Sequence, residues 1–176
     1  DYDSNVKNLV EGVISMLDAV YDGYEEGRYD LEEAKQIAAD LVRNMNYGHD
    51  GYFWIDTYEG INVAYLGRDE EGKNRMNQVD VNGFPLIKAI IENGRKEGGG
   101  YTDYWFPKPN ETEASPKRSY SLAFEPFEWV VGTGNYTDYI DNYVSTIREQ
   151  EQAKVNKNII SYVVIFIIAI FIAGGI

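Results

Sequence analysis

An uncharged, apolar run at the end of the chain, residues 159–176, constrains its structure more than any other feature. At about 1.5 Å per residue, a helix over this run would be roughly 27 Å long, close to the roughly 30 Å hydrocarbon core of a bilayer. A buried core helix is the alternative, but such helices seldom lack charged residues over this length. The run therefore predicts a transmembrane segment that holds a folded domain, residues 1–158, at a membrane.

Composition and charge narrow the functions that this domain can have. The formal net charge of −13 and the pI near 4.4 argue against a nucleic-acid partner, which requires a cationic surface. Without cysteine the chain has neither a disulfide framework nor a thiolate metal site, and its one histidine, His49, cannot form a zinc site alone. We therefore expect no metal site, and a Ser-His-Asp set is impossible unless His49 serves in it. No cofactor and no catalytic residue are predicted, and an enzyme is not the expected function.

Two amphipathic helices are predicted at the N-terminus. The first covers residues 4–24, where apolar residues recur at helical spacing and form a stripe long enough to serve both the core and a homodimer contact. Asp30 followed by Glu33 has the sequence of a capping box and predicts the start of the second helix. The stripe of the first helix consists of Val6, Leu9, Val10, Val13, Ile14, Leu17, Val20 and Tyr24.

The period of the apolar residues changes after Gly48, and short aromatic-rich strands follow. A third helix, Phe84–Glu97, interrupts them, and the polar tract 67–82 is interpreted as a solvated loop. The order of elements predicts an α+β fold with a five-stranded antiparallel sheet, a long N-terminal helix and a C-terminal helix that runs into the transmembrane span. The predicted strands are 52–56, 61–65, 101–106, 119–124 and 129–136.

Several motifs in sequence order resemble those of single Cache sensor domains, which have a PAS-like fold. The resemblance covers about Val6 to Ile147. In two places the chain departs from the family, which often has His-Pro where this chain has Tyr65-Leu66, and Trp where it has Phe106. The motifs are Gly51-Tyr52-Phe53-Trp54-Ile55-Asp56, Asp80-Val81-Asn82-Gly83, Gly99-Gly100-Tyr101, Tyr104-Trp105-Phe106-Pro107-Lys108-Pro109, Pro116-Lys117-Arg118-Ser119-Tyr120 and Trp129-Val130-Val131-Gly132-Thr133-Gly134-Asn135-Tyr136.

The resemblance implies an extracytoplasmic domain of a chemoreceptor or sensor kinase in the cell membrane. It divides the chain into a long N-terminal helix (1–27), a sensor core (28–136), an exit helix (137–158) and the transmembrane segment (159–176). By resemblance, a small-molecule ligand would sit between the sheet and the membrane-distal loops.

Strand alternation indicates which side chains can form that pocket. Tyr52, Trp54 and Asp56 share one face of their strand. The resemblance favours Lys117 as the cation that meets a ligand carboxylate, whereas strict alternation places Arg118 beside Tyr120, and both remain candidates. Apolar walls with a few convergent donors suit a small carboxylate, and an amino acid is possible if Asp56 accepts a bond from an amine. The candidate ligand-binding residues are Tyr52, Trp54, Asp56, Tyr65, Tyr104, Phe106, Lys117, Arg118, Tyr120 and Tyr136.

The leading hypothesis is the ligand-sensing domain of a methyl-accepting chemotaxis protein that binds a small organic acid and signals through the exit helix. The sensor domain of a histidine kinase is the nearest alternative, because the signalling module is not part of this sequence. A membrane-anchored hydrolase using Asp56 and other carboxylates is a second alternative. A structural dimerisation module is a third, and it predicts a pocket filled by the domain's own side chains.

Overall fold

The computed structural model describes the backbone of residues 2–48 and 50–173 and the side chains of residues 3–48, 50–139 and 143–162. The chain divides into two units, Asp1–Thr137 and Asp138–Ile176.

The first unit begins with two helices, α1 (Tyr2–Glu25) and α2 (Leu31–Asn44). The predicted capping box is confirmed: the Asp30 carboxylate accepts the Glu33 backbone N–H at 2.9 Å, and the Asp30 N–H donates to the Glu33 carboxylate at 2.9 Å. One face of α1 is buried in its own domain, whereas its opposite face is exposed. The homodimer contact expected along α1 stays a prediction. The buried positions of the predicted stripe are Val6, Val10, Val13, Leu17 and Val20.

The sheet is antiparallel and confirms the predicted α+β fold. Its strands follow the order β1-β2-β6-β5-β4, and β3 pairs with β2 in addition. The two-residue β1 was not predicted, and β5 begins at Ala114 rather than at Ser119, so that Pro116 lies inside a strand opposite Trp105. The strands are β1 (Asn46–Tyr47), β2 (Gly51–Thr57), β3 (Asn62–Ala64), β4 (Gly100–Pro107), β5 (Ala114–Phe124) and β6 (Trp129–Tyr136).

Helices cover both faces of the sheet. Helices α1 and α2 cover one face, to which β2 contributes Phe53 and Ile55. Helix α3 (Leu86–Gly94) covers the other, to which β2 contributes Tyr52 and Trp54. The predicted alternation of β2 is therefore confirmed, and it separates the core into an α1–α2 face and an α3 face.

The second unit is one long helix, α4 (Asp138–Ala173). Within the part of the chain that the structure describes, no helix is both long enough and apolar enough to cross a membrane. The predicted transmembrane segment, residues 159–176, extends beyond the described side chains, which end at Tyr162. It stays a prediction.

Candidate ligand-binding site

A small cavity lies between the α3 face of the sheet and helix α3. Its volume is about 10 Å³, which is room for about one water molecule. A larger molecule can enter only if some of the lining side chains move. The cavity is lined by Tyr52, Trp54, Tyr65, Arg75, Leu86, Ile87, Ile90, Tyr104 and Phe106.

Aromatic rings from β2, β4 and the segment after β3 form the walls of this cavity. The Tyr52 ring lies 5.5 Å from the ring of Tyr65 and 6.1 Å from that of Trp54, and Phe106 lies within 6.2 Å of Tyr65 and Tyr104. Burial raises the pKa of Tyr52, and the nearby Tyr65 raises it further, so the hydroxyl stays protonated at neutral pH. The walls therefore combine apolar surface with hydroxyl groups that can donate hydrogen bonds.

Lys117 is the cation that β5 directs to this side of the sheet. Its side chain is 2% exposed, and Nζ donates to the Tyr52 hydroxyl at 2.8 Å. Nζ also lies 4.2 Å from the ring centroid of Tyr52 and 4.9 Å from those of Trp54 and Tyr136. No carboxylate among the described residues forms an ion pair with Lys117. Burial holds the pKa of Lys117 well below its ordinary value, and the positive charge of Arg75 lowers it further.

Asp56 lies beside the cavity but is already paired. Arg75 Nε donates to Asp56 Oδ1 at 3.0 Å, and Arg75 Nη2 donates to Asp56 Oδ2 at 2.7 Å. Asn62 Nδ2 donates to the same Oδ1 at 3.0 Å. Asp56 is 0% exposed and does not line the cavity. Because Arg75 and Asn62 already bind its carboxylate, its charge is compensated before any ligand arrives.

The other two candidate residues on β5 lie on the α1–α2 face. Arg118 binds the Asp3 carboxylate of α1 through Nε at 2.8 Å and Nη2 at 2.9 Å, and it also pairs with Asp103. Tyr120 packs against the Tyr101 ring, 5.0 Å away, and its hydroxyl donates to the Gly98 carbonyl. β5 is a regular strand from Ala114 onward, so alternation sends Lys117 and Arg118 to opposite faces.

Four lining residues were missed at the sequence level. Leu86, Ile87 and Ile90 are on the predicted third helix and could have been proposed from its apolar face. Arg75 lies in the tract 67–82, which was interpreted as solvated, yet Arg75 is 8% exposed. Its backbone N–H donates to the Gly60 carbonyl at 2.7 Å, which fixes this part of the loop to the β2–β3 turn.

The remaining polar groups of the site, the Trp54 indole N–H and the Tyr136 hydroxyl, are hydrogen-bond donors and do not form a pair typical of catalysis. The Trp54 indole N–H is buried, at a residue that is 4% exposed, and it has no hydrogen-bond partner in the described part of the chain. The Tyr136 hydroxyl donates to the Pro107 carbonyl at 2.6 Å. In the described ranges, no group of three or more His, Cys, Asp or Glu residues is arranged to hold a metal ion, and His49 lies outside those ranges. The arrangement suits binding of a small anion.

Comparison with known proteins gives a consistent set of relatives. The family model Single Cache domain 2 matches residues 1–150. The sensor histidine kinase MctS of Rhizobium johnstonii is 31% identical over 137 residues, which are 77% of this chain and 29% of that protein. The methyl-accepting chemotaxis protein McpP of Pseudomonas putida is 28% identical over 170 residues, 95% of this chain and 31% of that protein. The chain thus spans less than a third of either relative.

Solved structures agree with these relatives. A periplasmic sensor domain of a chemotaxis protein is 29% identical with a TM-score of 0.72, covering 76% of this chain and 93% of that one. A Cache chemosensory domain solved for its recognition of carboxylic acids is 25% identical with a TM-score of 0.72, covering 76% of this chain and 91% of that one.

Proposed function

The chain belongs to the single Cache domain 2 family, and we propose that its first unit is an extracytoplasmic sensor domain that binds a small carboxylate in the cavity under α3. Its relatives are chemoreceptors and a sensor kinase. The proposal makes this domain a binding module that does not turn over its ligand.

The observation that carries the proposal is the environment of Lys117. An ammonium group that is 2% exposed and has no carboxylate partner among the described residues is costly to bury. A ligand carboxylate would supply the missing anion. It could also accept from the Trp54 indole N–H, which has no hydrogen-bond partner among the residues that the structure describes. Charge-assisted bonds of this kind are among the stronger ones in proteins.

The size of the cavity limits the ligand. The cavity has room for about one water molecule, so the ligand must be small, and even a carboxylate of two or three carbons requires the aromatic walls to move apart. The recognition of carboxylic acids by a Cache chemosensory domain of the same fold supports this ligand class.

We propose that binding is communicated to the helix that follows β6. The Thr137 N–H donates at 2.9 Å to the carbonyl of Pro116, which directly precedes Lys117, and α4 begins at the next residue, Asp138. A shift of β5 on binding would therefore reach the start of α4 through one hydrogen bond. The ligand can bias such a shift only by its differential affinity for the two states, typically about 1–3 kcal/mol.

A chemoreceptor is the leading assignment for the whole protein, with the apolar run 159–176 as its membrane anchor. A sensor kinase is the second candidate, because MctS is 31% identical over 137 residues. The domain would bind the ligand in either receptor, because a chemoreceptor and a sensor kinase differ in their output modules.

A thermal-shift screen of the full chain in detergent tests the proposal. Acetate, propionate, pyruvate, amino acids and amines are compared through intrinsic fluorescence. A ligand at about 100 times its Kd adds about 2.7 kcal/mol to the unfolding free energy, which raises the Tm by several degrees. We expect stabilisation by small carboxylates.

Variants of Lys117 and Arg118 test which of the two cations binds the ligand carboxylate. The response should disappear in Lys117→Met and persist in Arg118→Gln, and Lys88→Met, which changes a 61% exposed lysine on α3, is the matched control. Stabilisation by amines alone would instead implicate Asp56. Turnover of a substrate would favour the hydrolase, and no response to any compound would favour the structural module.

A further inference from the structure

One stretch of the cavity wall is supported by neither a helix nor a strand. Among the described residues that line the cavity, Tyr65 and Arg75 are the two that lie outside these elements. Arg75 is held by its two hydrogen bonds to Asp56. Tyr65 follows the end of β3, and its ring lies 5.5 Å from that of Tyr52 and 6.1 Å from that of Phe106. The position of the Tyr65 ring therefore depends on what holds the backbone after β3.

The side chain of Glu71 binds the backbone of this stretch. Its Oε1 accepts the Tyr65 N–H at 2.7 Å and the Gly67 N–H at 2.9 Å. Two consecutive turns bring Glu71 there, because the Arg68 N–H donates to the Tyr65 carbonyl at 3.0 Å and the Glu71 N–H donates to the Arg68 carbonyl at 3.1 Å. Leu66 and Gly67 form a bend with φ of 55° and 69°, and this left-handed conformation is unfavourable for a residue with a Cβ, such as Leu66. A carboxylate bound to neighbouring backbone N–H groups stabilises such a bend.

Helix α2 in turn holds the carboxylate of Glu71. Arg43, near the end of α2, donates from Nε to both carboxylate oxygens, at 3.1 and 2.8 Å. The side chains of Arg43 and Glu71 are 23% and 18% exposed, so water screens their attraction only in part. Arg43 Nη2 also donates to the Val63 carbonyl of β3 at 3.3 Å. The carboxylate is thus fixed between α2 and the backbone that carries Tyr65.

We propose that Glu71 is a positioning residue of the binding site: through the N–H groups of Tyr65 and Gly67 it holds the Tyr65 ring in place as a wall of the cavity. This inference rests on the proposed function. Glu71 is not among the described residues that line the cavity, so its effect on a ligand passes through the Tyr65 backbone. One oxygen, Oε1, accepts both backbone N–H groups, which makes the reach of this side chain more important than its charge. A wall that is already in place need not be ordered when the ligand binds, and this favours affinity.

Variants of Glu71 separate the reach of the side chain from its charge. Glu71→Ala removes both hydrogen bonds to the bend, Glu71→Gln keeps an oxygen at the same reach without the charge, and Glu71→Asp keeps the charge on a side chain one methylene shorter. Calorimetry on the full chain measures the dissociation constants of acetate, propionate and pyruvate, and urea unfolding measures stability. Glu70→Ala is the matched control, because Glu70 is the exposed neighbour of Glu71. Asp30→Ala is the control for stability, because it removes the N-cap of α2 and Asp30 is not a lining residue.

Glu71→Ala and Glu71→Asp should each bind the carboxylates at least about tenfold more weakly than the wild type, because a wall that is in place only about a tenth of the time raises the apparent Kd by that factor. Glu71→Gln should stay within about threefold of the wild type, since its amide oxygen can still accept both N–H groups. Glu70→Ala and Asp30→Ala should bind as the wild type does, although Asp30→Ala is less stable.

Three results overturn the inference while leaving the proposed function intact. The first is an unchanged Kd in Glu71→Ala. The second is tighter binding by Glu71→Gln with no change in Glu71→Asp, because the charge of Glu71 would then act directly on the anion. The third is an equal loss of affinity in Glu71→Ala and Asp30→Ala, which would make general destabilisation the cause. If Glu71→Ala does not fold, the comparison of Glu71→Gln with Glu71→Asp decides the question. A wild type that binds none of the three carboxylates would refute the proposed function itself, and this inference with it.

Discussion

Replacing Lys117 by Met should stabilise the first unit and at the same time abolish its response to carboxylates. Met has a similar length and no charge, so it can fill the space among the rings of Tyr52, Trp54 and Tyr136 without a desolvated ammonium. A residue that is kept for binding, at a cost in stability, is expected to show this combination.

The size of the effect follows from the cost of burying the amine. Deprotonating a lysine with an ordinary pKa of 10.5 at pH 7 costs about 5 kcal/mol, which is the upper limit of the penalty, because the group can always neutralise instead. The hydrogen bond to Tyr52 and the contacts with the aromatic rings return part of it, about 1 kcal/mol each. We therefore expect Lys117→Met to raise the unfolding free energy by about 1–3 kcal/mol, which is a rise in Tm of roughly 3–10 °C.

The increase in unfolding free energy caused by Lys117→Met should depend on pH. Because the pKa of Lys117 is lowered in the folded chain, the unfolded chain binds one more proton between that lowered pKa and 10.5. The unfolding free energy of the wild type therefore rises with pH across this window. The advantage of Lys117→Met should be largest below the lowered pKa and should shrink as the pH approaches 10.5.

Urea unfolding followed by tryptophan fluorescence measures this difference. All three tryptophans, Trp54, Trp105 and Trp129, lie in the first unit. Lys88→Met is the control and should change the unfolding free energy by no more than about 0.5 kcal/mol. A loss of more than about 1 kcal/mol in Lys117→Met would refute the reasoning, because the ammonium would then make a net favourable contact. A gain that does not vary with pH would contradict the lowered pKa.

Four further predictions concern the first unit. Asp30→Ala removes the N-cap of α2 and should lower the unfolding free energy by about 1 kcal/mol in the same urea assay, with ligand binding unchanged. Gly132→Ala places a Cβ against the Trp54 ring, so calorimetry should detect weaker carboxylate binding, and urea a loss of about 1–3 kcal/mol. Gly12→Ala, with open space around the new Cβ, should instead stabilise by up to about 1 kcal/mol. At pH values above the lowered pKa of Lys117, carboxylate binding should take up protons, because the bound anion raises that pKa, and affinity should fall as the pH rises further. Calorimetry in buffers of different ionisation enthalpy gives the number of protons.

Local signals were sufficient to predict most of the fold. The capping box at Asp30, the stripe of α1 and the alternation of β2 each depend on residues that are close in sequence. The start of β5 was missed because Pro116 resembles a strand breaker. The Pro116 carbonyl accepts from the Thr137 N–H, and Thr137 lies one residue beyond the end of β6. The pairing of β5 with β6 begins at Lys117, so the N–H that Pro116 lacks removes no hydrogen bond from that pairing.

Most of the lining residues that were predicted lie on regular strands, and Tyr65, which follows β3, is the exception. The choice between Lys117 and Arg118 stayed open because it depends on where β5 begins, and a shift of one residue exchanges the two faces. Arg75 could not be placed, because it is 19 residues from Asp56 and lies in a tract whose composition is typical of a solvated loop. Only the folded loop brings the two charges together.

The two faces of the sheet differ in how well their polar groups are satisfied. On the α1–α2 face, Arg118 has two acidic partners and the Tyr120 hydroxyl has a carbonyl. Beside the α3 face, the Trp54 indole N–H and Asn62 Oδ1 are buried without a hydrogen-bond partner among the described residues. Lys117 donates to the Tyr52 hydroxyl at 2.8 Å and has no carboxylate partner in the same part of the chain. Unsatisfied buried groups cost stability and are expected where a ligand completes the network. The polar groups named on the α1–α2 face are thus satisfied within the domain, whereas those beside the α3 face are the groups that the proposed ligand would satisfy.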